Sequence, residues 1–428
     1  MKNIIQKYLE KLFYINRSIT GKGNRQTLKI LKEIVPLNIK EIKSGKKVYD
    51  WTIPKEWNIR DAFIKDKDGN KLISFKENNL HVISYSKSIN KTMNWHSLKK
   101  NLFFSKVSKD AIPYRTTYYN DSWGFCVSRR QYEMIEKAKG PYKVVISSSL
   151  INGSLTYGDY VIKGKSKKEI LISTYICHPS MANDCLSGLI LTAFLARSLS
   201  KKRNKWTYRF VFVPETIGAI AYCSLNKKKI QNTLAGMVIT TVGGPGKFGY
   251  KQSWQSEHQI NTDIEKIFKQ RKVDYIKYPF SIRGSDERQY SSQAFKLNMA
   301  TITKDKYFEY KEYHTSLDNL NFVNGKNIYK SLNIYKALLN QIDSWKIFQS
   351  KMPYCEHMMS KHNLYPKTGG LYRMSNVGLT QLDIVQWILH LSDGMKTIDS
   401  IAAQLKVSKA TILKLSKILK RKKILIEL

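Results

Sequence analysis

The sequence has few acidic residues, few cysteines and no long apolar run. Its 428 residues include 33 Asp and Glu against 73 Lys and Arg, which gives a formal net charge of +40. The five cysteines form no Cys-x-x-Cys pair, which excludes a disulfide scaffold and a cysteine-rich zinc module. No apolar run approaches the roughly 20 residues that cross a bilayer, and the first residues show no signal-peptide pattern. We therefore expect a soluble protein of a reducing cytoplasm, without a membrane partner.

The excess of positive charge is spread evenly along the chain. Residues 351–428 contain 13 Lys and Arg against 5 Asp and Glu, a net charge of +8, and the other 350 residues carry +32. A dedicated nucleic-acid face concentrates positive charge in one segment. The even spread therefore favours a composition bias over polyanion binding, and we do not expect a nucleic-acid partner.

Three regions differ in their hydrophobic patterns. Residues 1–35 have helical spacing. The stretch from about 46 to 145 has short alternating runs, including residues 80–86, which predict the strands of a small α+β unit. Residues 157–271 alternate buried strands, such as 169–175 and 207–213, with helices, which predicts an α/β sheet. Beyond about 350, we predict strands at 369–374 and 422–428. Helices are predicted at 382–391, 397–405 and 408–419, with Thr397 and Ser408 as N-caps. This last pattern is winged-helix-like.

Four short segments with scarce His and acidic residues follow predicted strands or lie in loops. They contain His178 with Asp184, then Glu215, then Ser285-Asp286-Glu287-Arg288, and finally His314. Loops after strand ends build the sites of α/β sheets, where imidazole and carboxylate are suitable zinc ligands. Each residue taken alone is more often structural, as a buried histidine or a helix cap. Together, and in this order, they predict a metal site with Glu215 placed to take a proton from water.

The ordered motifs carry a family resemblance. The order His…Asn-Asp-x-x-x-Gly…Glu-x-x-Gly…Ser-Asp…His-Thr-x-x-Asp resembles that of the M28-type zinc aminopeptidases. The sequence is closer still to bacterial aminopeptidase-like proteins that contain an inserted small domain and a C-terminal winged helix. That group also shows motifs like Arg17-Ser18-Ile19-Thr20-Gly21, and the resemblance covers essentially the whole chain.

This resemblance implies a fold and a domain plan. The fold is an α/β, phosphorylase/hydrolase-like three-layer sandwich with an inserted α+β domain and a C-terminal winged-helix domain. Residues 1–45 with 146–348 form the metallopeptidase-like domain, residues 46–145 the insertion and residues 349–428 the winged helix.

The resemblance also assigns roles to individual residues. It implies His178, Asp184 and His314 as metal ligands, with Asp184 at the position of the aspartate that bridges two zinc ions. Glu215 takes the position of the general base. Asp286, Glu287 and Arg288 are candidates for holding polar groups of a substrate.

Three departures from the two-zinc pattern point to one metal ion. Thr216 stands where those enzymes have a second glutamate ligand, and Thr241-Val242-Gly243 contains no carboxylate where they have another aspartate. Ser180 replaces an acidic partner of the first histidine. Two imidazoles and one carboxylate plus water fit a single tetrahedral Zn²⁺ with an open position, so we expect one ion.

The expected function is a metal-dependent amide hydrolase, aminopeptidase-like, with a zinc-activated water and Glu215 as general base. The resemblance places such proteins beside cell-surface polysaccharide and modified-sugar biosynthesis, so a small molecule, a peptide, or an aminoacyl or acyl sugar could be the substrate. The alternative is a non-catalytic metallopeptidase-like scaffold or sugar-pathway accessory protein that uses its winged helix to bind protein or DNA. The sequence leaves a homo-oligomer open.

Overall fold

The computed structural model describes residues 1–106, 108–368 and 378–428. Two compact units are present, one formed by Met1–Ser256 with Ile267–Ala337 and the other by Glu257–Lys266 with Leu338–Leu428. Within the described ranges, no helix combines the length and the apolar character needed to cross a membrane. All five cysteines are described and all are free.

The elements are numbered here in chain order. The helices are α1 (Lys2–Phe13), α2 (Lys22–Leu31), α3 (Trp95–Leu98), α4 (Arg129–Lys137), α5 (Gly188–Leu199), α6 (Ile217–Ile230), α7 (Gln259–Gln270), α8 (Glu287–Tyr290), α9 (Gly325–Asp343), α10 (Gln381–Leu391), α11 (Ile398–Leu405) and α12 (Lys409–Arg421). The strands are β1 (Asn38–Lys43), β2 (Lys47–Val48), β3 (Trp51–Thr52), β4 (Glu56–Lys65), β5 (Lys71–Ser74), β6 (Ile89–Met93), β7 (Leu102–Phe103), β8 (Phe125–Cys126), β9 (Tyr142–Ile151), β10 (Ser154–Ile162), β11 (Glu169–Tyr175), β12 (Thr207–Val213), β13 (Thr233–Val238), β14 (Phe248–Lys251), β15 (Tyr275–Tyr278), β16 (Met299–Lys304), β17 (Ile347–Ser350), β18 (Asp393–Thr397) and β19 (Leu425–Glu427).

An eight-stranded mixed sheet organises the first unit. Its strand order is β1-β10-β12-β11-β13-β16-β14-β15. The central strands β12, β11, β13 and β16 run parallel to one another, whereas β10 runs antiparallel to β12. Every residue of β11 and β12 is buried, as expected for parallel strands that are covered on both faces. The predicted α/β class is therefore confirmed.

The register of the two central strands sets the position of the site. Tyr175, at the end of β11, lies opposite Val213, at the end of β12. Both residues share a hydrophobic core with Tyr222 of α6. Because the two strands are parallel and end at the same level, the loops that follow them start side by side at one edge of the sheet.

A second, smaller sheet lies in the region that the sequence predicts to be an insertion. It has the order β5-β4-β9-β6, and the long strands β4 and β9 pair antiparallel. The boundaries at 46 and 145 stay a prediction. A strand is the wrong prediction for residues 80–86: a 3-10 turn at Asn79–His81 and isolated bridges at Val82 and Ser84 occupy this stretch instead. Its apolar residues are buried there without a continuous ladder.

The C-terminal part of the second unit contains the three predicted helices, observed as α10, α11 and α12. The side chains of Thr397 and Ser408 accept hydrogen bonds from the amides of Ser400 and Thr411 at 3.0 and 3.1 Å, which confirms both N-caps. A three-stranded antiparallel sheet of order β18-β17-β19 completes this part. The strand predicted at 369–374 lies outside the described residues.

Candidate metal centre

His178 and Glu215 lie on the adjacent loops that follow β11 and β12. The parallel register of these strands brings the loops together, and the amide of Glu215 donates to the Cys177 thiol sulfur at 3.3 Å. The Nε2 atom of His178 lies 3.7 Å from Oε2 of Glu215. The predicted nearness of these two residues is thus a direct result of strand pairing.

Asp184 lies in a tight π-type turn, Ala182–Ser187, that leads into α5. Asp318, which is fully buried, holds this turn: its carboxylate accepts the amides of Asn183 and Asp184 at 2.6 and 2.9 Å. Asp318 follows His314 by four residues in the chain. One short segment therefore supplies His314 and also fixes the backbone of Asp184.

His314 lies in a loop that is bonded to the predicted insertion. The amide of Tyr114 donates to the His314 carbonyl at 2.7 Å, and the amide of Ser316 donates to the Ile112 carbonyl at 2.9 Å. An isolated antiparallel bridge joins Pro113 to Thr315 between these two bonds. The insertion therefore holds the backbone from His314 to Ser316 through main-chain bonds.

The three predicted metal ligands come together. His314 Nε2 lies 3.0 Å from Asp184 Oδ2, and His178 Nε2 lies 3.9 Å from the same oxygen. One ligand atom from each of the three residues lies within 4.8 Å of the others. Two imidazole nitrogens and one carboxylate oxygen at such spacing suit a zinc ion.

The electrostatics of these groups match what metal ligands need. Burial lowers the pKa of His178 to about 4, so its imidazole is neutral at physiological pH. Burial acts to raise the pKa of Asp184, but the charges of the two imidazoles and the hydrogen bonds from His314 and Tyr175 outweigh it and hold this pKa well below the usual value. A neutral imidazole and an ionised carboxylate are the forms that bind a metal.

Glu215 has a different environment. Its Oε1 accepts a hydrogen bond from the Ser285 hydroxyl at 2.5 Å, which leaves Oε2 facing His178. Burial and the nearby charge of Asp184 raise the pKa of Glu215 to about 7. A carboxyl group with a pKa near neutrality can both accept and return a proton at physiological pH.

The three predicted substrate-binding residues occupy different environments. Asp286 is fully buried and accepts the amide of Thr216 at 2.7 Å. Glu287 is fully buried and forms an ion pair with Lys251. Arg288 is exposed. Asp286 and Glu287 thus support the loop around Glu215, and a contact of any of the three with substrate stays a prediction.

The positions that depart from the two-zinc pattern are strained or turned to other partners. Thr216 and Thr241, which depart from that pattern, and the predicted ligand His314 have φ values of 61°, 45° and 53°, a left-handed conformation that costs free energy in residues other than glycine. The Ser180 hydroxyl donates to the Phe13 carbonyl at 3.2 Å rather than to His178. Strained residues cluster at functional sites, so this cluster supports a functional role for the centre.

Three residues of the centre were missed in the analysis of individual roles. The guanidinium of Arg17 is fully buried and donates to the His178 carbonyl at 2.9 Å. The hydroxyl of Tyr175 donates to Asp184 Oδ1 at 2.7 Å. Asp318 holds the Asp184 turn. Arg17 and Asp318 stand inside motifs that the sequence analysis quoted, so a signal existed for both, whereas Tyr175 is only the last residue of a predicted strand.

Comparison with known proteins places this geometry in context. A model of the family described as "Domain of unknown function (DUF4910)" matches residues 6–344, and a model described as "winged helix-turn-helix" matches residues 346–427. A Clostridium acetobutylicum protein described as a "putative polysaccharide biosynthesis protein with aminopeptidase-like domain" is 42% identical over 398 residues, which cover 93% of this chain and 90% of that protein.

Solved structures show the same architecture. The crystal structure of a "putative peptidase" from Clostridium acetobutylicum has a TM-score of 0.80 at 39% identity and covers 100% of this chain and 96% of that chain. A zinc aminopeptidase from Bacillus subtilis has a TM-score of 0.56 at 10% identity, over 80% of this chain and 94% of that chain, which shows a shared fold alone.

The fold is thus that of the M28 zinc aminopeptidases, joined to a C-terminal winged helix, and the resemblance predicted from the motifs is confirmed. The chain belongs to the family described as "Domain of unknown function (DUF4910)", and its 42% identical relative is described as containing an aminopeptidase-like domain.

Proposed function

We propose that this protein is a metal-dependent amide hydrolase of the aminopeptidase-like type. His178, Asp184 and His314 would hold one zinc ion, and Glu215 would act as general base. The observation that carries the proposal is the meeting of four side chains from separate segments: three ligand atoms within 4.8 Å of one another, with Glu215 Oε2 at 3.7 Å from His178 Nε2.

Two overlapping groups of side chains could hold a zinc ion, and the group of His178, Asp184 and His314 fits better than the alternative. A second group, Cys177 with His178 and Glu215, also lies within 4.8 Å. Cys177 Sγ lies 3.6 Å from Nδ1 of His178, whereas Nε2 faces Asp184 and Glu215. If a zinc ion binds Nε2 of His178 together with His314 and Asp184, Glu215 is not needed as a ligand and stays free to act as a base.

Support for one ion comes from the second oxygen of Asp184. Its Oδ1 already accepts the hydroxyl of Tyr175 at 2.7 Å and lies 3.4 Å from the hydroxyl of Thr240. A bridging carboxylate would need this oxygen for a second metal. Thr216 and Thr241, at the positions of further carboxylate ligands, offer none.

Each residue then has a defined part in hydrolysis. A bound zinc ion would supply a Lewis acid that polarises the amide carbonyl and lowers the pKa of water at its open position. Glu215 would accept the proton of the attacking water and return it to the leaving nitrogen. Ser285 keeps one oxygen of Glu215 fixed, so the other oxygen is the one available for the proton.

Support for a substrate class comes from the relative with 42% identity, which is described as a putative polysaccharide biosynthesis protein with an aminopeptidase-like domain. We therefore propose an amide on a sugar, either N-acyl or aminoacyl, ahead of a free peptide. An amide bond is common to all three, so the chemistry at Glu215 is the same.

The test combines metal analysis with hydrolysis by Glu215→Gln. We expect about one zinc per chain in both proteins and a fall in kcat of roughly 10²- to 10⁴-fold in the variant, the usual contribution of a general base. Glu133→Gln, on the exposed face of α4, is the matched control and should hydrolyse like the wild type. The substrates are an aminoacyl anilide, an N-acetylated amino sugar and an aminoacyl sugar.

Two results would contradict the proposal in different ways. Hydrolysis by Glu215→Gln at the wild-type rate, with zinc still bound, would remove the role of Glu215. Wild-type protein that carries zinc but hydrolyses none of the three amides would favour the non-catalytic scaffold.

A further inference from the structure

A cleft of about 390 Å³ lies where the start of α2 faces the paired strands β4 and β9. Its lining includes the turn Gly21-Lys22-Gly23, the β4 segment 57–60 and the β9 segment 147–149. The cleft has the volume of a small-ligand site. None of the proposed metal ligands lines it, so it is distinct from the metal centre.

Two cations line this cleft without ion pairs. Among the described residues, Lys22 and Arg60 have no carboxylate partner, and no acidic side chain lines the cleft. The nearby Glu56 is buried and already pairs with Arg25. An unbalanced pair of positive charges beside a concave surface is suited to a dianion.

The strand pairing gives Arg60 an unusual place. In the β4–β9 ladder Ile59 faces Ser148 and Asp61 faces Ser147, so Arg60 is an extra residue in a β-bulge. Bulges re-aim side chains and recur beside binding sites. The bulge therefore marks Arg60 as a position where the sheet departs from regular pairing at the cleft.

Uncommitted polar side chains complete the lining. Asn16, Gln26, Ser147 and Ser149 line the cleft, and the described part of the chain offers their side chains no hydrogen-bond partner. Amide and hydroxyl groups both donate and accept, which suits the hydroxyl groups of a sugar. The amide of Lys22 is already bonded to Asn58 Oδ1 at 2.8 Å, so the side chains rather than the start of α2 carry the recognition.

We propose that this cleft binds a phosphorylated saccharide, with Lys22 and Arg60 on the phosphate and the amide and hydroxyl side chains on the sugar. A phosphate monoester carries about two negative charges at pH 7, which matches the two unpaired cations. A single sugar ring with its phosphate also suits the volume of the cleft.

The Arg17–Gly21 motif, which the metal chemistry only partly explains, joins the cleft to the metal centre. At one end Arg17 donates to the His178 carbonyl. At the other end Thr20 accepts the amide of Trp57 at 3.0 Å, and Gly21, with φ of 103°, approaches the Trp57 carbonyl too closely for a Cβ atom. The motif therefore fixes α2 against β4, which forms the cleft.

The experiment is calorimetric titration of the full chain with glucose 1-phosphate, inorganic phosphate and glucose. We expect glucose 1-phosphate to bind at least tenfold more tightly than either of the other probes. Lys22→Gln and Arg60→Gln should each weaken its binding at least tenfold, and the affinity should fall as salt rises. Lys29→Gln, which removes the same charge from the exposed face of α2 outside the cleft, should bind within twofold of the wild type.

Several outcomes would overturn the proposal. If glucose 1-phosphate at about 10 mM does not bind, or if Lys22→Gln and Arg60→Gln bind it as tightly as the wild type, the cleft is not the proposed site. If inorganic phosphate binds as tightly as glucose 1-phosphate, the cleft does not recognise the saccharide. The proposal is independent of the metal chemistry, because hydrolysis by the wild type is not needed to read any of these results.

Discussion

Replacement of Asp318 should weaken zinc binding although Asp318 is not itself a predicted ligand, because this residue supports the turn that contains Asp184. Its buried carboxylate accepts two backbone amides of the Asp184 turn, and the Tyr310 hydroxyl donates to it at 3.1 Å. Asp318→Asn keeps one carbonyl oxygen but turns an NH₂ group toward an amide donor. Burial raises the pKa of Asp318 to about 7, so its carboxyl group is ionised above that pH. There, the variant loses one charged hydrogen bond and leaves one backbone amide unsatisfied.

The expected cost follows from these two changes. A hydrogen bond to a charged group contributes about 1.5–3 kcal/mol, and an unsatisfied buried donor costs about 1–3 kcal/mol. We expect the free energy of unfolding to fall by about 3 kcal/mol. Because Asp184 lies in the turn that is released, zinc affinity should fall by roughly 10- to 100-fold, the usual effect of losing support for a ligand.

The assay measures denaturant unfolding of the metal-free protein and zinc affinity by competition with a chelator. The control is Asp159→Asn, which removes a buried carboxylate bonded to Lys40 on the sheet edge. This control should lose stability with zinc affinity unchanged. If Asp318→Asn binds zinc as tightly as the wild type, the turn does not depend on Asp318 and the reasoning fails.

Three further changes probe the same structure. Arg17→Met should lower the free energy of unfolding by about 2–4 kcal/mol, because the His178 carbonyl loses a charged donor, and an unchanged denaturation midpoint would refute this. Tyr175→Phe removes the hydroxyl bonded to Asp184 Oδ1, so zinc affinity by chelator competition should fall about tenfold, and no change would count against that bond. Burial lowers the pKa of His258 to about 4, so the unfolded chain takes up this proton first and stability is lost as pH falls from about 6.5 toward 4. His258→Phe should remove about 3 kcal/mol of that loss, and superimposable stability curves for the two proteins would disprove it.

The order of elements was largely predictable, because the central strands are buried on both faces. Such strands are continuous apolar runs, so β11 and β12 were assigned at their observed bounds. The stretch 80–86 was assigned wrongly because its alternation of apolar residues reflects burial from several sides rather than a ladder. Alternation of apolar residues shows which side chains are buried, but it does not show whether the backbone there forms a paired strand or a turn.

The candidate ligands were predictable because scarce residue types follow strand ends in a chain with few acids. Their partners were less so. The bond from Tyr175 to Asp184 spans nine residues, but the bond from Arg17 to His178 spans 161. No local pattern encodes contacts at such separation, so the supporting residues became visible only in the folded chain.

The antiparallel bridge at Pro113 and Thr315 bears on any attempt to shorten this protein. Excision of residues 46–145 would remove the two main-chain hydrogen bonds that Tyr114 and Ile112 make with the loop of His314, together with the bridge at Pro113. A truncated variant would then keep all the predicted ligand residues and still lack the backbone bonds that hold the loop of His314. A chimeric protein of this family should therefore take the insertion and the His314 loop from the same parent.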